Sequence, residues 1–392
     1  MSPIRSATIA ALASAVVATT LTGCQFGGAE QDTSPIVIAA DLELSGAAAP
    51  VGRAYQRALE LKRDQLNSSG ALNNRKIELK VKDNRSDSAE SLRNIVDFSS
   101  DSQVSAIIMG GCNECAVGAV GTINEKRIPT IALAASGAIA SPVAERRYVF
   151  KLGPNAVDSA AALTTELRRN NLRKVGMLVS DDDYGREGAT ALRSELDKAK
   201  ITLREQKVKT TDTDVSQQVR QLTLGKPDAL VFWTPPEQAT LAATSASQTT
   251  FRGSLFFDAG AAGDLFLGEA ARATERATLI FTQTMVIDDV IATTPAKAAR
   301  RQWFQDYTAR FGGYNGSSSF AADAMQLIAD AELRAGGEVG KVDRDGLRDV
   351  LETSQMDGLS GPIRMTPDNH SGLMPQALTT LVARNGRWRL AG

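Results

Sequence analysis

The sequence predicts an α/β fold built on two doubly wound parallel sheets. Three observations carry that prediction. From Pro35 onward, short apolar runs of strand length alternate with amphipathic stretches of helical spacing. The alternation restarts after Asn155, so there are two series of βα units. Most of the strand-length runs are continuously apolar, as strands covered on both faces are.

The first series opens with Ile36-Val37-Ile38-Ala39-Ala40 as a strand. Ala58, Leu59, Leu61 and Leu66 then give Tyr55 to Leu66 a helical apolar face, and Asn67-Ser68-Ser69-Gly70 ends it with turn chemistry. Ile77 to Val81 alternates as a strand. Ser86-Asp87-Ser88 supplies an N-cap for a helix over Ala89 to Phe98. A strand over Val104 to Met109, a helix over Cys115 to Asn124 and a strand over Ile128 to Ala134 follow. The second series reads as helix Ser159–Asn170, strand Lys174–Ser180 and helices Tyr184–Lys198 and Val215–Leu224. Strand Ala229–Trp233, helix Glu237–Gln248 and strand Ser254–Phe257 complete it. In doubly wound sheets ligands bind outside the carboxyl ends of the strands, so the loops after the strands are the ones to inspect.

The N-terminus reads as an address. Arg5 precedes an apolar run from Ala7 to Leu21, too short for a comfortable membrane span. It ends in Leu21-Thr22-Gly23-Cys24, which resembles the bacterial lipobox. That resemblance implies a signal peptide over 1–23 and a lipid on Cys24; the plain alternative is an ordinary signal with an incidental cysteine. Residues 24–35, rich in Gly, Gln, Ser and Thr, then form a flexible tether. The expected location is the outer face of the cell membrane, held by lipid.

Composition narrows the functions. The 392 residues suit two domains, and 44 basic against 45 acidic side chains remove the basic excess of a nucleic-acid binder. Aromatics at 5% argue against stacking platforms for single strands. His370 is the single histidine, which makes a histidine-dependent enzyme or a multi-histidine metal site hard to build. No enzyme, metal or cofactor is expected.

Four stretches together resemble the leucine/isoleucine/valine-binding protein family of type I periplasmic-binding folds. They are Leu44-Ser45-Gly46 with Val51-Gly52; Gly110-Gly111 through Ile123-Asn124-Glu125-Lys126 to Ile128-Pro129-Thr130-Ile131; Asp182-Asp183-Tyr184-Gly185; and Leu359-Ser360-Gly361-Pro362-Ile363. The resemblance runs from about Ile36 to Leu390. It implies two lobes joined by a three-strand hinge, with lobe one at 36–153 plus 284–360 and lobe two at 154–283 plus 361–392. A long helix around Phe320 to Arg334 would belong to lobe one. It further implies a monomer that closes on a small polar ligand, an amino acid, amide or amine, and delivers it to an ABC permease.

The same resemblance nominates ligand contacts. Ala134 and Ser136 match positions that hold a ligand carboxylate, with a plain helix N-cap as the alternative for Ser136. Tyr184 matches a position whose ring lies against the ligand, or it packs at a strand end. Asp258 is the candidate for a ligand ammonium. Trp233 either walls the pocket or fills the core. In Cys112-Asn113-Glu114-Cys115 the chain departs from the family, which usually has a small hydroxyl residue there. Asn113 and Glu114 therefore join the ligand-binding set. Glu114 either disfavours a carboxylate ligand and favours a cation or a donor, or faces solvent where its charge suits the helix dipole. For Cys112 and Cys115 the expectation is a small-loop disulfide in an oxidising exterior; a redox pair and a metal site are the alternatives. A ligand sensor reporting to a membrane receptor, and an exported thiol–disulfide enzyme, remain alternatives to the importer subunit.

Overall fold

Five strands make the first sheet, the inner ones apolar and buried on both faces and the edge strand Ile77–Asp83 alternating between buried or half-buried and polar positions. In the computed structural model, which describes residues 32–46, 48–262, 270–336 and 338–391, they are β1 (Ile36–Leu42), β2 (Ile77–Asp83), β3 (Val104–Met109), β4 (Thr130–Ala132) and β5 (Val149–Lys151). Every residue of β1 and β3 is buried. All pairings are parallel, in the order β2-β1-β3-β4-β5. Helices α1 (Ala49–Ser69), α2 (Ser88–Ser100) and α3 (Asn113–Glu125) make the crossovers. Gly70 ends α1 in a left-handed conformation, and the Asp87 carboxylate caps α2 through the Glu90 N–H. Cys24, the signal segment and most of the tether fall outside the described residues.

The second sheet repeats that plan. After α4 (Ala156–Arg169) come β6 (Lys174–Ser180), α5 (Asp183–Lys198), β7 (Thr202–Val208), α6 (Ser216–Leu224), β8 (Ala229–Trp233), α7 (Pro236–Ser247), β9 (Ser254–Phe257) and β10 (Thr278–Thr282). Within the order β14-β13-β10-β9-β8-β6-β7, the parallel part has the same winding as the first sheet. It differs from an all-parallel sheet at one edge. The hairpin of β13 (Leu378–Arg384) and β14 (Arg387–Leu390) adds antiparallel strands, turned by Asn385-Gly386 with both residues at positive φ. At the other edge β7 is half-exposed and polar, which is why periodicity does not mark it as a strand.

The chain passes between the two sheets three times: after β5, after β10, and between the antiparallel pair of β11 (Gln355–Asp357) and β12 (Pro362–Arg364) and the later strand β13. At the first and third passages, Lys151 N–H donates to the His370 carbonyl and Gly372 N–H to the Lys151 carbonyl, tying the two segments together. His370 is fully buried there, stacked on Phe150 at 4.2 Å. Its single imidazole thus sits in the hinge packing.

After the second passage, α8 (Pro295–Phe311), α9 (Ser318–Ala335) and α10 (Arg344–Leu351) return to the first sheet, with α9 packed along α1. Asp323 of α9 is buried and accepts the N–H groups of Leu359 and Ser360 at 2.8 and 2.7 Å and the Ser360 hydroxyl at 2.6 Å. A side chain on Gly358 would run into that carboxylate. This is the physical content of the Leu359-Ser360-Gly361 stretch: it folds over a buried acid.

Candidate functional site

Both sheets have the 2-1-3-4-5 order, whose reversal point lies between the strands numbered 1 and 3. In the first sheet that point falls between β1 and β3, and in the second between β6 and β8. The residues that follow these strands are therefore the ones the topology gathers.

After β1 comes Glu43, 1% exposed. Its carboxylate accepts the N–H groups of Gly111 at 3.2 Å and Cys112 at 2.9 Å, the loop that follows β3. Gly110 has to be glycine because a Cβ would collide with that carboxylate, and Gly52 because a Cβ on α1 would collide with the Glu43 backbone. Burial pushes the Glu43 carboxyl above its ordinary value, opposed by the two backbone donors. Periodicity alone did not single out Glu43. The signal was nevertheless present, since an acid directly after a fully buried strand must find buried donors.

At the start of α3, Cys112 and Cys115 are disulfide-bonded, and the Cys112 sulfur accepts the Cys115 N–H at 3.1 Å. Between them, Asn113 turns toward the loop after β4. Its amide oxygen accepts the N–H groups of Ala135 at 3.0 Å and Ser136 at 2.7 Å. Glu114, one residue on, is exposed in the first turn of the helix. Ala134 is buried at the end of β4. The Ser136 hydroxyl caps a short 3-10 turn through the Ala138 N–H at 3.3 Å.

The same hydroxyl donates to Glu187 of α5 at 3.0 Å, and the Gly137 N–H meets both oxygens of that carboxylate at 2.9 and 2.8 Å. Glu187 thus carries helix α5 of the second sheet onto the β4 loop of the first. Lys151, at the end of β5, is fully buried with its ammonium on the Gly153 carbonyl at 2.7 Å. Burial lowers its pKa to about 8, while the charges of Glu187 and Asp158 pull it back up.

On the second sheet, Asp182 caps α5 through the Gly185 N–H at 2.7 Å and accepts the Ser180 hydroxyl at the same distance. Tyr184 follows, 8% exposed, its phenol donating to Asp258 at the end of β9. The Gly260 N–H reaches both Tyr184 and Asp258, at 3.0 and 3.1 Å. Asp258 is 1% exposed, and burial holds its carboxyl well above the ordinary value. Among the described residues its second oxygen has no partner, and neither does the indole N–H of buried Trp233 at the end of β8. The Tyr184 and Trp233 rings lie 6.3 Å apart, and Gly188 leaves the space on α5 that the indole fills.

Of the residues nominated from sequence, the structure thus brings Asn113 and Ser136 together and, separately, Tyr184 and Asp258. It leaves Glu114 in solvent. Glu187 and Lys151 join the first group and were not nominated. Among the described residues no group of three or more His, Cys, Asp or Glu side chains is placed to hold a metal ion, and no helix is long and apolar enough to cross a membrane.

Solved structures share this architecture. An extracellular ligand-binding receptor from Rhodopseudomonas palustris HaA2 superposes with a TM-score of 0.83 at 22% identity, covering 91% of this chain and 99% of that one. A leucine-binding protein, LivK, from Thermotoga maritima MSB8 gives 0.81 at 18% identity over 91% of this chain and 98% of its own. The isoleucine complex of the branched-chain amino acid transporter substrate-binding protein LivJ from Streptococcus pneumoniae gives 0.76 at 21%, with the same two coverages. At these identities the likeness speaks for the fold. The family model for periplasmic binding proteins matches residues 35–387. With that match spanning nearly the whole described chain, the protein belongs to the periplasmic binding protein family.

Proposed function

We propose that this chain is the lipid-anchored, extracytoplasmic solute-binding subunit of an ABC importer, taking a small polar ligand between two lobes that close by hinge motion. The observation that carries the reading is the convergence of two sheets of identical winding on one junction, where Ser136 and Gly137 of the first meet Glu187 of the second. Loops after the strands of both sheets are the expected ligand walls. Lobe one is 36–153 plus 284–360 and lobe two 154–283 plus 361–392; the strands of the two large sheets divide in this way, while the pairing of Pro362–Arg364 with Gln355–Asp357 favours a third crossing a few residues later. Ser136, Ala134 and Asn113 contribute from lobe one, Tyr184 and Asp258 from lobe two, and Cys24 carries the lipid. The protein works as a monomer facing its permease.

The test is thermal unfolding of a soluble form beginning at Gln25 against amino acids, amides, polyamines and ureas. A ligand that binds only the folded state raises the melting temperature by mass action. A shift with one chemical class, abolished by Ser136→Ala or Tyr184→Ala, supports the reading. A folded protein that responds to no small polar solute rejects it, and a protein-partner role would take its place. Incorporation of labelled fatty acid, lost in Cys24→Ser, tests the anchor.

A further inference from the structure

Backbone and hydroxyl donors of the lobe-one loops are already occupied by the chain itself. Glu43 takes the N–H groups of Gly111 and Cys112. The Asn113 amide oxygen takes those of Ala135 and Ser136. Glu187, from the opposite lobe, takes the Ser136 hydroxyl and the Gly137 N–H. A ligand carboxylate would have to displace Glu187 or sit against it, and two carboxylates at contact repel in a partly dehydrated site.

The cation on hand does not reverse this. Lys151 is buried, hydrogen-bonded to the Gly153 carbonyl, and shared electrostatically between Glu187 and Asp158. Across the junction, a second feature points the same way independently. Asp258 is 1% exposed and, among the described residues, keeps one carboxyl oxygen without a partner. A buried, unpaired acid oxygen is costly unless something that donates comes to meet it.

We propose that the ligand is a small protonated amine without a carboxylate, and that Glu187 is the residue that sets this choice by filling the donors at Ser136 and Gly137 with a built-in acid. The inference rests on the solute-binding reading above and narrows it. Glu187 then serves twice: its oxygens satisfy the lobe-one loop, and its charge favours a cation beside it. An amino acid is rejected because its carboxylate finds a carboxylate in its place.

Calorimetric titration of the full chain, purified in mild detergent, tests this with matched probes: L-leucine against L-leucinamide, L-arginine against agmatine, and putrescine alone. The expected result is at least one amine binding at least tenfold more tightly than its carboxylate-bearing counterpart. Glu187→Ala narrows that gap at least tenfold by weakening the amine and admitting the amino acid. Glu187→Gln, which keeps the shape and an acceptor oxygen, weakens the amine while the far-ultraviolet spectrum and melting curve report an intact fold. A free amino acid that binds the unmodified chain as tightly as its amide overturns the proposal and leaves the solute-binding reading standing. Binding of neither class would remove that reading and this one with it.

Discussion

The amide oxygen of Asn113 accepts the backbone N–H of Ser136 at 2.7 Å, so the first loop of lobe one is what holds the second in place. Because the same oxygen also takes the Ala135 N–H, one side chain satisfies two donors that the short 3-10 turn cannot satisfy itself. Asn113→Ala strands both. The expected loss is about 2 kcal/mol of stability, the usual cost of leaving partly buried donors unpaired. Asn113→Asp keeps an acceptor and recovers most of it. Urea unfolding of the two variants decides the matter: equal losses would mean that the contact contributes nothing specific.

Asn113 and Glu114 also show how far the sequence reached. The Cys112–Cys115 segment stands out as a departure from the family, and its sequence leaves open whether Glu114 faces the ligand or solvent. In a helix, successive residues point about 100° apart. One of the pair therefore turns to the second loop and its neighbour to solvent, and which is which depends on a helix start fixed by the cysteine cap. Glu187 was harder still. Arg186-Glu187 on α5 has the look of ordinary surface charge, and only the approach of the other lobe gives the acid its partners. The strands were legible because burial on both faces writes continuous apolar runs, as in β1, β3 and β8. β7 was not, since an edge strand keeps polar residues. The hairpin of β13 and β14 was not either, since its strands are only partly buried and keep Thr and Arg among their apolar residues.

Asp323 makes stability depend on pH. Burial raises its carboxyl to about 6, against 3.8 for the free side chain, despite the hydrogen bonds from Leu359 and Ser360. The folded form therefore holds this proton more tightly than the unfolded form. Between pH 4 and pH 6 the native state carries more of the proton, so this group's contribution falls as pH rises through that window and is flat outside it. The span corresponds to about 3 kcal/mol. Asp323→Asn removes the slope while costing about 2 kcal/mol by turning an amide donor toward one of the N–H groups. Denaturant midpoints from pH 4 to 7 would show it; an unchanged slope in the variant rejects the assignment.

The disulfide closes a loop with a sequence separation of only 3, so it restrains the unfolded chain little. Chain-entropy arguments give about 2 kcal/mol for so short a loop. Reduction by dithiothreitol is expected to lower the unfolding free energy read from urea titration by no more than that. The double variant Cys112→Ser/Cys115→Ala should lose less, because a serine oxygen at the cap position replaces the sulfur that accepts the Cys115 N–H. An insulin-reduction assay on the same protein separates a structural pair from an enzymatic one: turnover by the unmodified chain, lost in Cys112→Ser, would favour the latter.

If the ligand is the amine proposed above, Asp258 is expected to tie its binding to proton release. In the free protein, burial holds its carboxyl well above the ordinary value, so it retains a proton at pH values where an exposed aspartate has lost it. An ammonium arriving within contact of the unpaired oxygen favours the charged form and lowers that pKa. Between the free and bound values, binding an amine therefore expels a proton, and affinity rises with pH until the free value is passed. The Tyr184 phenol and the Gly260 N–H, both on the other oxygen, stay as donors to the carboxylate that forms. Calorimetry with putrescine in two buffers of different ionisation enthalpy reads the released proton directly. Asp258→Asn should abolish the buffer dependence and weaken binding at least tenfold, which is about 1.4 kcal/mol. Tyr184→Phe should keep the buffer dependence, because the acid remains, while the affinity drops. Heats that do not change with buffer in the unmodified protein would mean that Asp258 takes no part in meeting the cation.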